Sequence, residues 1–571
     1  MIRENDRGGS RSLAMLWCQV GLHRMFELAG ETSVGKLERQ LISYNLLVSN
    51  TILAHQLLDQ MSFIQRNNKH SRYLAYCAAV RSRNEEEARS CLNTITNRQG
   101  DMDQLLFACI GESVKHGKPL DTARLLQRLI DKHMQMPSAE VDVGVLLKYT
   151  AKTLLESVAG QRPNEQPNEE VLMRLCAVFK IAVRLQDKST KSPYARPSAP
   201  QLDSVWFEEK SFEIARTHAT VWPARYIIDL LDYSNQLCCH NSRAPIEVAF
   251  SEEQRTRLRD STFMQTILYA SEARKDTASY SVEDLPQTSY DSRSKPKTSE
   301  CRVVLHQKVF KNFTCFREQH SSQTMCSKEE QELMQSQLQT MVPLAFEALL
   351  FMNAHAYLMD ETAFDEISVK QFLNTAKELE APAATYALLA DTVLAFASGD
   401  EEVCSRLNGL RIPAISAARP LGQIILALRQ VQDYNIEQAA RWVRCVAQLI
   451  LEDIEKVMPN TKMEQSLTML KSVVQQAMDL AKGNSGIDSA GDVDMSSGRT
   501  QSYPPEELEW LATKLFNMAV DLCAAGDRKL AQQWAARAVE VAELLDNGDG
   551  GLALLLCNRI GELFKDVQSC T

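Results

Sequence analysis

The sequence predicts an all-α chain, a solenoid of helical hairpins, and three observations carry that prediction. Glu509 to Leu545 (EWLATKLFNMAVDLCAAGDRKLAQQWAARAVEVAELL) reads as two amphipathic helices around a Gly526-Asp527 turn. A second stretch repeats its frame: Trp206, Lys210, Phe212 and Ala215 stand at the offsets of Trp510, Lys514, Phe516 and Ala519. Helix pairs recur along the rest of the chain about every 30–40 residues, the period of such arrays. A hairpin cannot bury its apolar face alone, so a repeated hairpin implies a stack.

The C-terminal hairpin sets the pattern. Leu515, Met518, Ala519 and Leu522 take the W-x2-L-G-x2-Y places in the first helix of a tetratricopeptide (TPR) repeat. Gly526 suits a helix C′ position and Asp527 the next N-cap. Ala531, Ala535 and Ala538 fall where the second helix must pass close to the first. The expected fold is therefore an all-α, TPR-like helical-hairpin solenoid.

In chain order, residues 1–12 form a polar tail and 13–160 a helical array. SLAMLWCQVGLHRMFELAG is its first helix, capped at Gly30, and KLERQLISYNLLVSNTILAHQLLDQM its second. Arg72 to Ile95 is a hairpin broken at Arg83-Asn84, with Ala88 as the small contact residue. Leu105 to Ile130 is another, broken at His116-Gly117-Lys118-Pro119, with Ala123 in that role. Residues 161–275 continue the array. QRPNEQPNE is a polar break, Val171 to Leu185 a helix, Lys188 to Asp203 a Pro- and Ser-rich loop, and the Trp206 hairpin turns at Trp222-Pro223. Ser251-Glu-Glu-Gln254 is a capping box that opens a helix to about Lys275.

Residues 276–300, rich in Ser, Thr and Tyr, read as a flexible loop, and 301–482 as a further array. Val303 to Phe316 fits a strand by its Val303/Leu305 alternation and a helix by Val309, Phe313 and Phe316. Val369, Phe372, Leu373 and Ala376 then hold helical spacing, as do Ile436, Ala439, Ala440 and Val443. Residues 483–503 are Gly-, Ser- and Asp-rich, a disordered linker. Pro504-Pro505-Glu506-Glu507 starts the C-terminal TPR-like block, 504–571, with residues suited to a helix N-terminus.

Composition narrows the function classes. Hydrophobic residues at 44% and charged at 24% are ordinary for a folded soluble chain. The formal net charge of −10 comes with no basic face, so direct nucleic-acid binding is not expected. Fifteen cysteines are scattered with no C-x-x-C and no zinc-ligand spacing, the pattern of small buried hydrophobes in a reducing compartment. No metal or cofactor is implied. No signal peptide is visible and no apolar run reaches the ~18–20 residues that span a bilayer, so the chain is expected to be intracellular, soluble and free of membrane contact.

Three motifs invite chemistry. Gly30-Glu-Thr-Ser-Val-Gly35-Lys36 satisfies GxxxxGK, but Leu37 stands where a P-loop needs Ser or Thr, and a helical segment precedes it; it reads as an inter-helix turn. No GxSxG or HExxH occurs, and no local nucleophile–base arrangement, so the chain is expected not to be an enzyme. Arg441-Trp442-Val443-Arg444 sets a Trp between two arginines. That Trp either fills the gap between hairpins while the arginines pair with nearby acids, or belongs to an Arg-lined face for an acidic partner helix. Phe516-Asn517 is the third. Phe516 is about 100° round from Leu515, so it is either a groove anchor beside a side-chain amide or a residue packed on a neighbouring helix. The candidate protein-binding residues are Phe516, Asn517 and Trp510 on the terminal hairpin, and Arg441, Trp442 and Arg444 on the segment before it.

The block YPPEELEWLATKLFNMAVDLCAAGDRKLAQQWAARAVEVA, the preceding AARWVRC and the WFEEKSFEIA repeat resemble a family of meiotic TPR-like scaffolds, the sporulation protein twenty-two / zipping protein four family. LAFEALL at Leu344–Leu350 and the early LWCQVGLHRMFELAG fit as well. The resemblance implies a non-enzymatic nuclear scaffold of the ZMM group on meiotic chromosomes. It would bridge other ZMM proteins, chromosome-axis proteins and synaptonemal-complex central-element proteins to promote crossovers. An aromatic–Asn pair near the family's C-terminus is associated with central-element binding, and Phe516-Asn517 is the matching position. Family members are usually longer, and the early apolar helix here lacks a capping repeat, so a truncated or short form is expected. The alternatives are a helical-repeat subunit of a proteasome-lid-like or cyclosome-like assembly, and an NTP-using enzyme working through Gly30–Lys36.

Overall fold

The computed structural model describes residues 10–23, 30–96, 103–135, 141–159, 167–191, 202–241, 251–275, 298–322, 327–360, 364–397, 410, 412–431, 434–457, 463–483, 502–545 and 551–565. Among these residues the regular elements are 23 α-helices and no strands. The chain divides into two compact units, Met1–Leu258 and Arg259–Thr571.

The first unit holds α1 (Arg11–Gly21), α2 (Glu31–Leu47), α3 (Thr51–Gln60), α4 (Phe63–Arg66), α5 (Lys69–Ser82), α6 (Glu85–Thr96), α7 (Asp103–His116), α8 (Pro119–Gln135), α9 (Val143–Ala159), α10 (Glu169–Lys191), α11 (Ser204–His218) and α12 (Ala224–Asn241). Neighbours pack as hairpins, α5 on α6, α7 on α8 and α11 on α12, and hairpins stack through α5 on α7 and α10 on α12. Leu106, Cys109, Leu125, Leu126 and Leu129 join Ile42, Tyr76 and Ile95 in one buried cluster.

The second unit holds most of α13 (Glu252–Ala273), then α14 (Thr298–Ser322), α15 (Lys328–Asp360), α16 (Glu366–Glu378), α17 (Ala383–Ala397), α18 (Ala414–Leu428), α19 (Ile436–Val457), α20 (Met463–Gly483), α21 (Pro505–Ala524), α22 (Arg528–Ala542) and α23 (Gly551–Lys565). One buried cluster runs from Phe313 to Leu556, because each helix buries a stripe on both neighbours in the stack. This is the TPR-like hairpin solenoid architecture.

Local chemistry explains the helix ends. Ser251 and Gln254 form the reciprocal capping box, each accepting the other's backbone N–H at 3.2 Å. Asp203 and Asp527 cap α11 and α22 through Trp206 and Leu530 N–H. Gly526 takes φ +91°, a conformation open to glycine at little cost.

Several expectations change. The long second helix is broken: Ser49 has φ +63°, and the Asn50 side chain accepts the Leu53 N–H at 3.2 Å to start α3. The first helix ends at Gly21, not Gly30, and Gly30 is instead the N-cap residue of α2. Val303 to Phe316 is helix, since Val309, Phe313 and Phe316 share the buried face. α10 runs on past Leu185 to Lys191. The expected 483–503 linker falls mostly outside the described residues, but Tyr503 at its end is buried, with only 7% of its surface exposed. The 276–300 loop and 1–12 tail also lie largely outside them; within those bounds, α14 begins at Thr298 and α1 at Arg11.

Among the described residues one helix, α15, is long and apolar enough to cross a membrane, against the expectation that no stretch is. Its Leu338, Met341, Val342, Ala345, Phe346 and Leu350 are core residues between α14 and the α16–α17 pair. A helix apolar on several faces is what burial in a protein stack also demands.

Candidate functional site

The terminal hairpin is built as its spacing implies. Pro505 occupies the first turn of α21 with Glu506 and Glu507, where a missing N–H costs nothing and negative charge meets the helix dipole. Leu508, Leu511, Ala512, Leu515, Met518, Ala519 and Leu522 form the buried face. On α22, Ala531, Ala535 and Ala538 are fully buried, so two backbones approach where larger side chains would hold them apart.

Phe516 and Asn517 sit one step round from that face. Phe516 is half-buried, with part of its ring against the core cluster, and Asn517 is exposed. Val520 and Cys523, four and seven residues on, are half-buried as well and continue a partly open apolar strip. Trp510, Lys514 and Asn517 follow i, i+4, i+7 spacing on the adjacent face. The surface thus offers an aromatic edge, an apolar strip and a side-chain amide that both donates and accepts.

The segment before it behaves differently. Trp442 is 4% exposed, and its indole Nε1 donates to Asp391 on α17 at 3.2 Å. It is packed between hairpins and presents nothing to a partner. Arg441 is exposed. Arg444 lies over the Trp510 ring at 4.8 Å and reaches Glu507 at 3.4 Å. Cys445 beside it has a thiol pKa raised by burial, and Tyr503 a phenol likewise kept protonated by burial, with the Glu507 carboxylate adding to both.

The Arg444–Trp510–Glu507 arrangement has a counterpart in the first unit that sequence inspection missed. Lys148 on α9 lies 4.8 Å over the Trp206 ring and pairs with Asp203 at 2.7 Å. In both hairpins a cation from an earlier helix covers the Trp and pairs with the acid three residues before it. Asp203 and Glu507 were visible as one more shared offset. Lys148 and Arg444 were not, because each comes from a different distance along the chain.

The GxxxxGK stretch lies in the opening turns of α2, not in an inter-helix turn and not after a strand. Gly35 is buried in that helix, and a Cβ there would fall 2.3 Å from Gln65 Oε1, which also accepts from Arg39 at 3.0 Å. Close packing accounts for this glycine. Among the described residues no cluster of His, Cys, Asp and Glu has metal-binding geometry.

No protein-family model and no curated protein matches the chain. Several solved structures match it, two of them over nearly its whole length. A circular tandem repeat protein with novel repeat topology and enhanced subunit contact surfaces covers 98% of this chain and 96% of its own, at 15% identity and a TM-score of 0.21. The APC/C hetero-tetramer Cut9-Hcn1 structure covers 98% and 94%, at 9% identity and a TM-score of 0.18. At such scores neither likeness carries an argument about function.

Proposed function

We propose that this chain is a non-enzymatic scaffold of meiotic recombination. It promotes crossover formation and synaptonemal-complex assembly on meiotic chromosomes in the nucleus, bridging ZMM, axis and central-element proteins. The observation that carries this reading is the half-buried Phe516 beside the exposed Asn517, within the block of closest family resemblance. The aromatic ring supplies apolar area and the amide supplies paired hydrogen bonds, the chemistry of an interface anchor. A stack of hairpins, with many helix faces open to protein partners, supports a scaffold role.

Affinity capture and mass spectrometry from meiotic cells test the proposal, wild type against Phe516→Ala/Asn517→Ala. Loss of a central-element protein, with helical circular dichroism preserved and the melt still cooperative and only modestly lowered, is the expected result. Unchanged partners from an intact fold would remove the docking role from this pair. Capture of proteasome-lid or cyclosome subunits, with expression in vegetative cells, would overturn the meiotic role itself.

A further inference from the structure

We propose that a cleft in the first unit, between the α5–α6 and α7–α8 hairpins, docks an acidic peptide segment of a partner protein, with apolar side chains set among its carboxylates. The cleft measures about 810 Å³, within the range of pockets that enclose a ligand. Val80, Ala88 and Leu92, all half-buried, give it an apolar surface.

Its walls carry the charge. Arg83, Arg89, Lys118, Arg124, Arg128 and Arg174 line it, against the carboxylates of Glu85, Asp121 and Asp131. Those carboxylates are already engaged. Glu85 takes Lys118 at 2.5 Å, Asp121 takes Arg124 at 2.9 Å, and Asp131 accepts the Gln127 amide at 2.8 Å. Arg124 and Arg174 also share Glu170, whose pKa they hold down to about 2. Arg83 and Arg89 make no ion pair within 4 Å among the described residues, Arg89 only adding to the field that lowers the Glu85 carboxyl pKa, and Arg128 has the Asn93 side-chain oxygen at 3.0 Å. Arg83 takes φ +61° at the end of α5, where glycine is usual, so a cation at the cleft rim occupies a position that backbone preference gives to another residue.

A chain of net charge −10 therefore concentrates an excess of positive charge around one apolar cleft. Charge complementarity selects an acidic ligand, and the apolar surface selects one with hydrophobic side chains. A nucleic-acid backbone suits it less well: three carboxylates stand in the wall, and Tyr76 in the lining is 1% exposed, leaving it no face for base stacking.

A phage-displayed library of random dodecapeptides, selected on the full chain, tests this. Enriched peptides are expected to be acidic with interspersed aliphatic or aromatic residues. One of them, fluorescein-labelled, should bind at least about tenfold more weakly to Arg89→Glu/Arg128→Glu, and more weakly as salt rises. Both arginines are exposed, so circular dichroism should be unchanged. Lys152→Glu, exposed on α9 and outside the cleft lining, should bind as wild type does. No enrichment, enrichment without acidic excess, equal binding by the Arg89/Arg128 variant, or tighter binding of oligothymidylate than of the peptide would each overturn the proposal.

Discussion

The Trp206 and Trp510 hairpins share a frame and fill it differently. The offset that aligns Trp206 with Trp510 also aligns the first residues of their second helices, Ala224 with Arg528. Buried positions follow in step: Ile227, Leu230, Leu231, Ser234, Leu237 and Cys238 against Ala531, Trp534, Ala535, Ala538, Val541 and Ala542. The terminal hairpin is filled mainly with alanine and one tryptophan, the earlier one with larger aliphatics and buried polar groups. Glu208, 1% exposed, stands where Ala512 does and meets Arg257 at 3.2 Å. Ser211 stands where Leu515 does and donates to the Leu230 carbonyl at 2.6 Å. One backbone plan thus accepts either small or large side chains at the same buried positions. The conserved part of the plan is register, not side-chain size.

The largest expected contrast lies at the shared phenylalanine. Phe212 is 6% exposed whereas Phe516 is half-open. Phe212→Ala should cost about 3–5 kcal/mol, and Phe516→Ala about half that or less. Hydrogen exchange, which assigns lost stability to its own hairpin, measures both. Equal losses would make Phe516 a core residue and remove its claim as an anchor.

Helix spacing gives the next effect. Leu231→Ala should leave a cavity costing about 2–5 kcal/mol, and Ala535→Leu should overpack the terminal hairpin by about 1–3 kcal/mol. Tolerance of Ala535→Leu within about 0.5 kcal/mol in thermal melts would show that the alanines do not set the approach of α22 to α21.

Covering cations should matter less. Lys148→Ala and Arg444→Ala each remove one cation–π contact and one partly exposed ion pair, about 1 kcal/mol in all. A cost near zero at only one hairpin would separate the two arrangements that geometry makes alike.

The smallest effect is one of pH. Lys148 holds the Asp203 carboxyl below its ordinary value of 3.8, helped by the Trp206 N–H. A carboxylate with a depressed folded-state pKa contributes stability that is present above the unfolded pKa and is lost as pH falls through the folded one. The Trp206 hairpin should therefore loosen slightly below about pH 4, as Trp fluorescence or hydrogen exchange would record, and Lys148→Ala should flatten that slope.

Much of the fold was legible because it is periodic. The Arg83-Asn84 break, the Trp222-Pro223 turn and the Ser251–Gln254 capping box lie where local chemistry indicates, since caps and turns involve residues a few positions apart. Misplaced features had weaker local signals. Asn50 offers an N-cap, but Ser49 has no side-chain feature that demands a left-handed backbone, so the apolar stretches on either side of Ser49-Asn50-Thr51 read as one helix. Val303 to Phe316 contains both periods, and packing chose the helical one.

Sites were less legible than the fold. Trp442 could have faced either way until its acceptor, Asp391, was placed on α17 across 51 residues of sequence. The α5–α8 cleft has no signature along the chain, because its arginines sit on α6, α8 and α10 and just past the end of α5, and one at a time look like ordinary solvated charges.

By itself, the sequence determined the class, the hairpin register and most helix ends. These depend on propensity, caps and the 3.6-residue period, which are short-range along the chain. Tertiary structure alone decided which tryptophans are covered, which cations find acids and where positive charge collects. Those outcomes depend on side chains from helices tens of residues apart meeting across a stack, and no local pattern encodes that distance.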